Sequence, residues 1–335
     1  MKRPPLLHRG DAIALVAPSF GCTTEPYITR LGVATERWRK KGFEVVAGPN
    51  VFREDGISAS ASPQERAKEI MDALQSNASL VLSVGGGELM NEMMPELDFA
   101  SIAKLPPKWF MGFSDNTNLT FFLTLHCGWE TIYGPCAGAF FQKQWRLCEA
   151  DAFALLQGQT HFEGYPKYSI TRSNPDRPLA AYRCTQPKVI TPHLYEKPFE
   201  GTLMGGCLDV LILHCGTKLD RVKAFNQEHP EGIIWYLEAC DLNPLALRRA
   251  YFQLRQAGWF DNAVGFILGR PKSAMEPLLG VDRFNAAIDI LGPLGKPIVI
   301  DVDLGHISPS MPIRNGAKAR VAYENENLII DYLEA

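Results

Sequence analysis

The stretch KWFMGFSDN, residues 108–116, contains an apolar run that leads directly into a polar turn. The run Lys108–Gly112 predicts a buried β-strand, and the residues after Asn116 predict a helix that ends near Cys127. A serine at a strand-to-helix turn holds its hydroxyl above the sheet, where the next backbone N–H points at the same space. The stretch therefore indicates an α/β fold and makes Ser114 the first candidate for chemistry.

The same alternation of strand and helix precedes this stretch. Strands are predicted over residues 12–17, 43–47 and 79–84, and helices over 27–41 and 63–76. Ser62 is placed to cap the second of these helices, with Pro63 in its first turn and Glu65 at the third position of a capping box. Repeated units of strand and helix predict a parallel sheet.

The residues after 200 predict a second α/β domain. Strands are predicted over residues 232–237, 264–268, 297–302, 317–323 and 328–332, and helices over 244–257 and 281–291. Between the two patterned regions, residues 158–200 lose their periodicity and are punctuated by prolines. Because the 335-residue chain exceeds the ~250–300 residues at which single cores stop growing, two domains are expected. We assign residues 1–157 and 201–335 to them, joined by a linker or long loop over 158–200.

The composition excludes several classes of protein. The chain has 34 basic and 37 acidic side chains, so neither nucleic acid nor a membrane is expected as a partner. No apolar run approaches the ~20 residues of a membrane-spanning helix, and the N-terminus does not resemble a signal peptide. The eight cysteines and seven histidines show none of the common metal-ligand spacings. We expect a cytoplasmic protein with reduced thiols, no metal and no cofactor.

Three positions follow predicted parallel strands, which is where parallel sheets bind their ligands. They are the glycine turn Gly85–Gly87, Ser114 and Glu238. A serine nucleophile needs a base and a group that orients the base. Glu238 and His306 both lie at or just beyond strand ends, and the chain order Ser, acid, His is one that builds catalytic triads.

Each of these candidates also has an ordinary structural interpretation. Ser114 and Asp115 would equally serve as helix caps. Glu238 has a competitor in Asp241 as the orienting acid, and a lone histidine such as His306 is more often bonded to backbone than catalytic. These alternatives stay open on the sequence alone.

The glycine turn has two functional interpretations. Its N–H groups would hold a phosphate, or one of them would donate to an oxyanion together with the N–H of Asp115. A dinucleotide-binding fingerprint is not met, because Met90 occupies the position of its third glycine. The ordinary alternative is a tight turn that needs positive φ. Cys136 is a second candidate nucleophile, and Ser19 ends the first strand near the same cleft.

Seven short motifs stand in order along the chain. They are Ala17-Pro18-Ser19, Gly85–Gly87, Gly112–Thr117, Tyr133-Gly134-Pro135, Leu203–Cys207, Leu237-Glu238 and Gly305-His306. Their order and spacing resemble those of the LD-carboxypeptidase family, serine peptidase family S66. The resemblance covers nearly the whole chain. The Leu203–Leu211 segment, the chain length and the long 158–200 segment look most like the microcin C immunity peptidases of this family.

The resemblance implies a flavodoxin-like parallel-sheet N-terminal domain and a smaller C-terminal α/β domain, usually in a homodimer. It implies Ser114 as nucleophile, His306 as general base and then acid, and Glu238 as the group that orients His306. The domain boundary is then expected to run through the active site. The implied oxyanion donors are the backbone N–H groups of Asp115, Gly86 and Gly87.

Two departures from the family pattern lie in the expected cleft. The glycine turn continues with Glu88, where relatives commonly have an aromatic residue or Asn after two glycines. His306 is followed by Ile-Ser-Pro, where many relatives have Gly-x-Pro. These changes bear on the substrate more than on the chemistry.

The resemblance implies hydrolysis of a C-terminal amide bond through an acyl-enzyme. In the LD-carboxypeptidase interpretation, the enzyme releases terminal D-Ala from cytoplasmic muropeptides. A cationic side chain should then receive the terminal carboxylate, and Arg270 and Arg314 are the candidates. Ser19 and Glu88 are further candidates for lining the substrate cleft.

Two other functions remain open. Within the family, the alternative is cleavage of aminoacyl-nucleotide conjugates of the microcin C type, with Tyr168, Tyr182 or Tyr195 stacking on the base. A more distant alternative is a non-catalytic module that binds a phosphate ligand through the glycine turn.

Overall fold

A computed structural model of the protein describes residues 1–56, 58–170 and 174–333. The chain forms two compact units. Unit 1 comprises Met1–Gln159, Thr171–Arg183 and Pro312–Arg314, and unit 2 comprises Thr160–Ile170, Cys184–Met311 and Asn315–Ala335. The predicted domain boundaries at 157 and 201 stay a prediction.

In the first half of the chain the strands alternate with helices, as predicted. The strands and helices of both halves have the following bounds. The strands are β1 (Ala12–Val16), β2 (Glu44–Ala47), β3 (Leu80–Ser83), β4 (Trp109–Gly112), β5 (Thr131–Tyr133), β6 (His161–Glu163), β7 (Lys167–Tyr168), β8 (Gln186–Pro187), β9 (Thr191–His193), β10 (Phe199–Cys207), β11 (Ile233–Glu238), β12 (Ala263–Gly269), β13 (Ile298–Val302), β14 (Ile313–Asn315), β15 (Lys318–Glu324) and β16 (Asn327–Tyr332). The helices are α1 (Tyr27–Lys40), α2 (Pro63–Gln75), α3 (Phe99–Ile102), α4 (Thr117–Cys127), α5 (Leu147–Leu156), α6 (Leu208–His214), α7 (Val222–Glu228), α8 (Pro244–Gln256) and α9 (Arg283–Leu291).

Unit 1 is built on a six-stranded sheet in the order β14-β5-β4-β3-β1-β2. Strands β1 to β5 pair in parallel with their neighbours. The order β2-β1-β3-β4-β5 is that of flavodoxin-like folds, so the predicted fold class is confirmed for this unit. The two central strands β3 and β4 are buried along their whole length, which explains their continuous apolar sequence.

Local signals in the sequence set the helix ends in this unit. The Ser62 side chain accepts from the Glu65 N–H, and the Glu65 carboxylate accepts from the Ser62 N–H, which completes the predicted capping box at the start of α2. Helix α4 ends at Gly128, which takes a left-handed conformation with φ of +66°. Both helices follow the bounds expected from these signals within one residue.

Unit 2 is built on an eight-stranded sheet in the order β6-β16-β15-β10-β11-β12-β13-β9. The central strands β10 to β13 are parallel, and the flanking strands pair antiparallel. This mixed sheet with its helices confirms the predicted second α/β unit. The sequence did not predict β10, because Gly205 and Gly206 interrupt its apolar pattern. A Cβ on Gly205 would lie 1.8 Å from the Tyr236 carbonyl oxygen, so the close pairing of β10 with β11 requires a glycine there.

The segment 158–200 contains more regular structure than its sequence indicated. Its short strands β6, β7, β8 and β9 contribute to unit 2, and β7 pairs with β8 in a separate two-stranded ribbon. Residues 171–173 of the segment lie outside the described residues. Over the described ranges, the helices are all too short or too polar to cross a membrane.

Candidate active site

Ser114 occupies a strained turn at the end of β4 in unit 1. Phe113 is extended, and Ser114 then takes a φ of +64°, a conformation that side chains with a Cβ rarely adopt. The Ser114 N–H donates to the Tyr133 hydroxyl at 3.1 Å, which holds the turn from the neighbouring strand β5. A strained residue that the surroundings hold in place is typical of functional sites.

Neither Ser114 nor Asp115 occupies the position directly before a helical segment. The short 3₁₀ turn Ser114–Asn116 is preceded by Phe113, and α4 is preceded by Asn116, and neither position provides a side-chain cap. The Asn116 amide instead donates to the carbonyl oxygens of Gly85 and Phe113, at 2.8 and 2.9 Å. Asn116 thus ties the serine turn to the glycine turn after β3.

The glycine turn lies directly against the Ser114 side chain. A Cβ on Gly86 would stand 3.1 Å from the Ser114 Cβ and 3.4 Å from its Oγ. Gly87 has a φ of +148°, and a Cβ there would lie 2.2 Å from the Ser19 hydroxyl. The two glycines therefore let backbone pass where a side chain would displace Ser114 or Ser19. This placement brings together Ser114 and the backbone predicted to donate to an oxyanion.

Asp115 binds three neighbouring segments through its buried carboxylate. It accepts from the Ser19 hydroxyl at 2.5 Å, from the Met90 N–H at 3.0 Å and from the Asn118 amide at 2.9 Å. Burial raises the pKa of Asp115, and these hydrogen bonds oppose that rise. Ser19 is itself fully buried, so the structure places it beneath the turn as a partner of Asp115.

Arg66 is a buried residue of this region that the sequence analysis missed. It lies on α2, and its guanidinium donates to the carbonyl oxygens of Pro18 and Leu89, at 3.2 and 2.9 Å. It therefore joins the loop after β1 to the loop after β3. The available signal was an arginine among the apolar positions of the buried helix face, which includes Ile70 and Ala73.

Glu238 and His306 form a hydrogen-bonded pair in unit 2. Glu238 ends β11 and is buried, and His306 lies in the loop after β13. The His306 Nδ1 and the Glu238 Oε2 are 2.8 Å apart. Gly305 makes this approach possible, because a Cβ on it would lie 2.5 Å from the same carboxylate oxygen, and its φ is +106°. Glu238, not the exposed Asp241, is therefore the acid that contacts His306.

The environment of His306 makes its ring more basic than an ordinary imidazole. Burial alone would lower the pKa of His306, but the charge of Glu238 and hydrogen bonds with Cys240 and Glu238 outweigh it and raise the pKa above its ordinary value. A carboxylate at Nδ1 also sets the orientation of the ring. The pair can thus stabilise an imidazolium that forms during a reaction.

Asp209 fixes the chain that follows Glu238, and the sequence analysis did not single it out. Its carboxylate accepts from the N–H groups of Cys240, Asp241 and Leu242 at 2.9 to 3.2 Å. The Cys207 thiol donates to the same carboxylate at 3.3 Å. Burial, followed by the charges of Glu238 and Asp209, raises the pKa of Cys207 well above its usual value.

Among the described residues, one group of three thiol, carboxylate and imidazole side chains holds its ligand atoms close enough together for a single metal ion. The ligand atoms of Cys207, Glu238 and His306 all lie within 4.8 Å of one another. The other candidate thiol, Cys136, is an unsuitable nucleophile, because burial raises its pKa to about 12 and keeps it protonated at neutral pH.

The two arginines predicted to receive a substrate carboxylate are both buried and both face a carboxylate of their own unit. Arg270 pairs with Asp303 in unit 2, and the Nε of Arg314 lies 3.0 Å from Glu130 in unit 1. A substrate carboxylate would have to compete with these partners. Glu88 is exposed on the loop after the glycine turn.

The three tyrosines proposed to stack on a base have partners within their own units. The Arg270 guanidinium lies 4.5 Å from the centre of the Tyr168 ring, and the Tyr182 ring faces Arg146 at 5.3 Å. The Tyr195 hydroxyl accepts from the Tyr323 N–H at 2.9 Å. A base stacking on the Tyr168 or Tyr182 ring would share that ring with its arginine.

Comparison with known proteins matches each half of the chain to one family. The family profile of the LD-carboxypeptidase N-terminal domain matches residues 13–134, and that of the LD-carboxypeptidase C-terminal domain matches residues 200–321. The two matches contain Ser114 and the pair Glu238 and His306, respectively.

Individual relatives span the full length of the chain. A putative carboxypeptidase of Streptomyces coelicolor is 28% identical, over 98% of this chain and 96% of its own length. The microcin C7 self-immunity protein MccF of Escherichia coli is 24% identical, over 96% and 93%. A probable murein peptide carboxypeptidase of Bacillus subtilis is 23% identical, over 98% and 94%.

A solved structure of MccF in complex with aspartyl sulfamoyl adenosine superposes with a TM-score of 0.83. The match covers 99% of this chain and 98% of that one, at 22% identity. At this level of identity, the superposition shows that the fold is shared.

The strain at Ser114 predicts an unusual order of stability among substitutions. We expect Ser114→Gly to have a free energy of unfolding roughly 0.5–1 kcal/mol above that of Ser114→Ala. The left-handed conformation costs a residue with a Cβ about 1–2 kcal/mol, which the entropy of unfolded glycine offsets only in part. Urea unfolding of both variants measures the difference.

Ser101 in α3 supplies the matched control, because it has ordinary helical geometry. There the order should reverse, with Ser101→Ala more stable than Ser101→Gly. An alanine at position 114 that equals or exceeds glycine in stability would contradict the strained turn.

Proposed function

The chain belongs to the LD-carboxypeptidase family, peptidase family S66, and from this we propose that it is a serine carboxypeptidase whose nucleophile is Ser114. The observation that carries the proposal is the strained Ser114, held with φ of +64° against the glycine turn. A side chain that only terminated a strand would have no need of this conformation.

We propose that Ser114, His306 and Glu238 act as one triad. Ser114 Oγ attacks the scissile carbonyl carbon, and His306 accepts the hydroxyl proton at Nε2. The tetrahedral intermediate then collapses, the C–N bond breaks, and His306 gives the proton to the leaving amine. Water, deprotonated by His306, attacks the acyl-enzyme and releases the acid and Ser114. The buried Glu238 carboxylate stabilises the imidazolium in both steps.

The backbone N–H groups of Asp115, Gly86 and Gly87 are proposed to stabilise the oxyanion. The support is the contact of Gly86 with the Ser114 side chain and the network that holds Asp115. Donors held rigidly in place act on the charge that develops in the transition state, and losing one such donor typically costs about 10²–10³-fold in kcat.

Our leading substrate is a muropeptide with a terminal D-Ala, cleaved as an LD-carboxypeptidase would. The family profiles and the relative named a murein peptide carboxypeptidase support it. The terminal carboxylate is proposed to meet Arg270 or Arg314, after one of them leaves its carboxylate partner. Cleavage of a microcin C-type aminoacyl nucleotide is the second candidate, supported by the MccF relative and its solved complex.

We further propose that the protein acts in the cytoplasm and as a homodimer. All eight cysteines are free thiols, which suits a reducing compartment. Sedimentation of the purified chain tests the dimer, and a monomer at micromolar concentration would contradict it.

Ser114→Ala tests the nucleophile. We expect kcat for any accepted substrate to fall by about 10⁶-fold, because the loss of the serine from a triad removes the acyl-enzyme route. The variant should also fail to react with a fluorophosphonate probe that labels the wild type. Ser101→Ala serves as the control and should keep both properties. Activity within tenfold of the wild type, or unchanged labelling, would refute a role for Ser114 as nucleophile.

Glu238→Gln tests the orienting acid. The amide keeps the shape of the side chain but removes the charge that faces the imidazole, so kcat should fall by about 10³–10⁴-fold with a small change in KM. Asp241→Asn is the matched control and should stay within about twofold, as exposed substitutions do. A larger loss of kcat in Asp241→Asn than in Glu238→Gln would show that Asp241, and not Glu238, is the orienting acid.

Competing substrates separate the two peptidase functions. We expect kcat/KM for a muropeptide tetrapeptide to exceed that for an aspartyl sulfamoyl adenosine-type conjugate with a scissile amide, measured on one enzyme preparation by product release. The reverse order would make cleavage of aminoacyl nucleotides, and not of muropeptides, the function. Tight phosphate-ligand binding that Ser114→Ala leaves intact, without hydrolysis of either substrate, would support the non-catalytic module instead.

A further inference from the structure

Three strand ends in unit 2 bring chemically different side chains to one point. Cys207 ends β10, Glu238 ends β11, and these two residues are direct partners in the parallel pairing of the two strands. His306 follows β13 and reaches the Glu238 carboxylate. The thiol, carboxylate and imidazole ligand atoms lie within 4.8 Å of one another. The proposed hydrolytic mechanism uses the last two groups and gives no role to the thiol.

We propose that Cys207, Glu238 and His306 form a binding site for a zinc-like divalent cation, and that occupancy of this site switches the enzyme off. The binding part stands on the geometry of unit 2 alone. The inhibitory part rests on the proposed function, because the same cation would occupy both Glu238 and His306.

The ligand set is one that zinc selects. Zinc binds thiolate sulfur, imidazole nitrogen and carboxylate oxygen together, whereas calcium and magnesium prefer oxygen alone. Tetrahedral zinc at its usual bond lengths holds its ligands roughly 3.3–3.7 Å apart. The Glu238 and His306 atoms stand 2.8 Å apart, and the thiol lies within the 4.8 Å limit of both. Side-chain shifts of about an ångström would therefore complete three of the four positions.

The surroundings of the three ligands favour a cation. Cys207 and Glu238 are buried, and Asp209 places a second carboxylate 3.3 Å from the thiol sulfur. Asp209 is itself held by the N–H groups of Cys240, Asp241 and Leu242. Such a hydrogen-bonded outer carboxylate is what orients ligands in known metal sites. The His306 side chain keeps 12% of its surface exposed, which provides a path of entry.

Zinc binding replaces protons and makes no other chemical change. The cation takes the place of the Nδ1 proton between His306 and Glu238, and that proton moves to Nε2 of the same ring, where it occupies the lone pair that the base needs. The Cys207 S–H proton passes to solvent as the thiolate binds. His306 then has its ring held by the metal and its orienting acid removed. The enzyme would lose its base without any loss of Ser114.

Titration of the full-length chain, free of any polyhistidine tag, tests the site with Zn²⁺ alone. Calorimetry should show one equivalent bound by the wild type, and Cys207→Ser should weaken binding by at least about 100-fold, since even outer-sphere partners of a metal typically contribute 10–100-fold. Cys215→Ser is the matched control, because its thiol lies away from the three strand ends and contacts Gln253. It should bind as the wild type does.

An exposed cluster of side chains is the alternative place where zinc could bind. His161 contacts Asp331 at 2.6 Å and Glu163 at 3.3 Å on the surface of unit 2. His161→Gln should leave zinc binding unchanged. Loss of binding in His161→Gln, retained binding in Cys207→Ser, or no saturable binding by the wild type would each overturn the proposal.

X-ray absorption tests the binding site without a variant and without activity, and hydrolysis tests the inhibitory part. X-ray absorption of the zinc-loaded wild type should show one sulfur neighbour at about 2.3 Å, and a shell of nitrogen and oxygen alone would overturn the site. Where hydrolysis is measurable, zinc should suppress it at the concentration that saturates binding, and a chelator should restore it. A chain that binds zinc through sulfur but hydrolyses nothing would leave the binding site standing and refute only the proposed function.

Discussion

The constraint on which the candidate site depends is the backbone of Ser114. A residue with a Cβ is held at a φ of +64° because neighbouring strands and loops bind the turn from several sides. Tyr133 accepts its N–H, Asn116 ties it to the glycine turn, and Asp115 binds the loops after β1 and β3. Because these contacts hold the turn from several sides at once, the flavodoxin-like sheet acts here as a rigid support for one strained residue.

In unit 2 the candidate side chains are also held by their surroundings, here by a buried charge and hydrogen bonds and not by a strained backbone. Its parallel strands β10 to β13 end at one edge, and Cys207, Glu238 and the His306 loop follow three of them. The buried Glu238 raises the pKa of His306 through its charge and its hydrogen bond, against the opposing effect of burial. A buried carboxylate beside an imidazole suits a base, and with a thiol added it also suits a borderline-soft cation.

Much of the fold could be predicted from the sequence, because its elements carry local signals. The apolar runs of β1, β3 and β4 and the Ser62 capping box were sufficient for the alternating strands and helices up to α4, whereas β5 and β14 of the same sheet were not predicted. Strand β10 was missed, since its glycines serve a contact with Tyr236 that no local pattern shows. The candidate residues could be placed at strand ends from the sequence. The partners that hold them could not be predicted from it. Arg270 and Arg314 were candidates to receive a substrate carboxylate, but their partners Asp303 and Glu130 are distant in sequence and could not be foreseen.

The central claim is that Ser114 is a nucleophile within a prepared oxyanion site. A crystal structure of the chain after reaction with a fluorophosphonate tests it most directly. The account predicts a phosphonyl group on Ser114 Oγ, with one phosphoryl oxygen within hydrogen-bond distance of the N–H groups of Asp115 and Gly86 or Gly87, and with His306 Nε2 beside Oγ. Phosphonylation of another residue, or a phosphoryl oxygen that points away from these N–H groups, would contradict it.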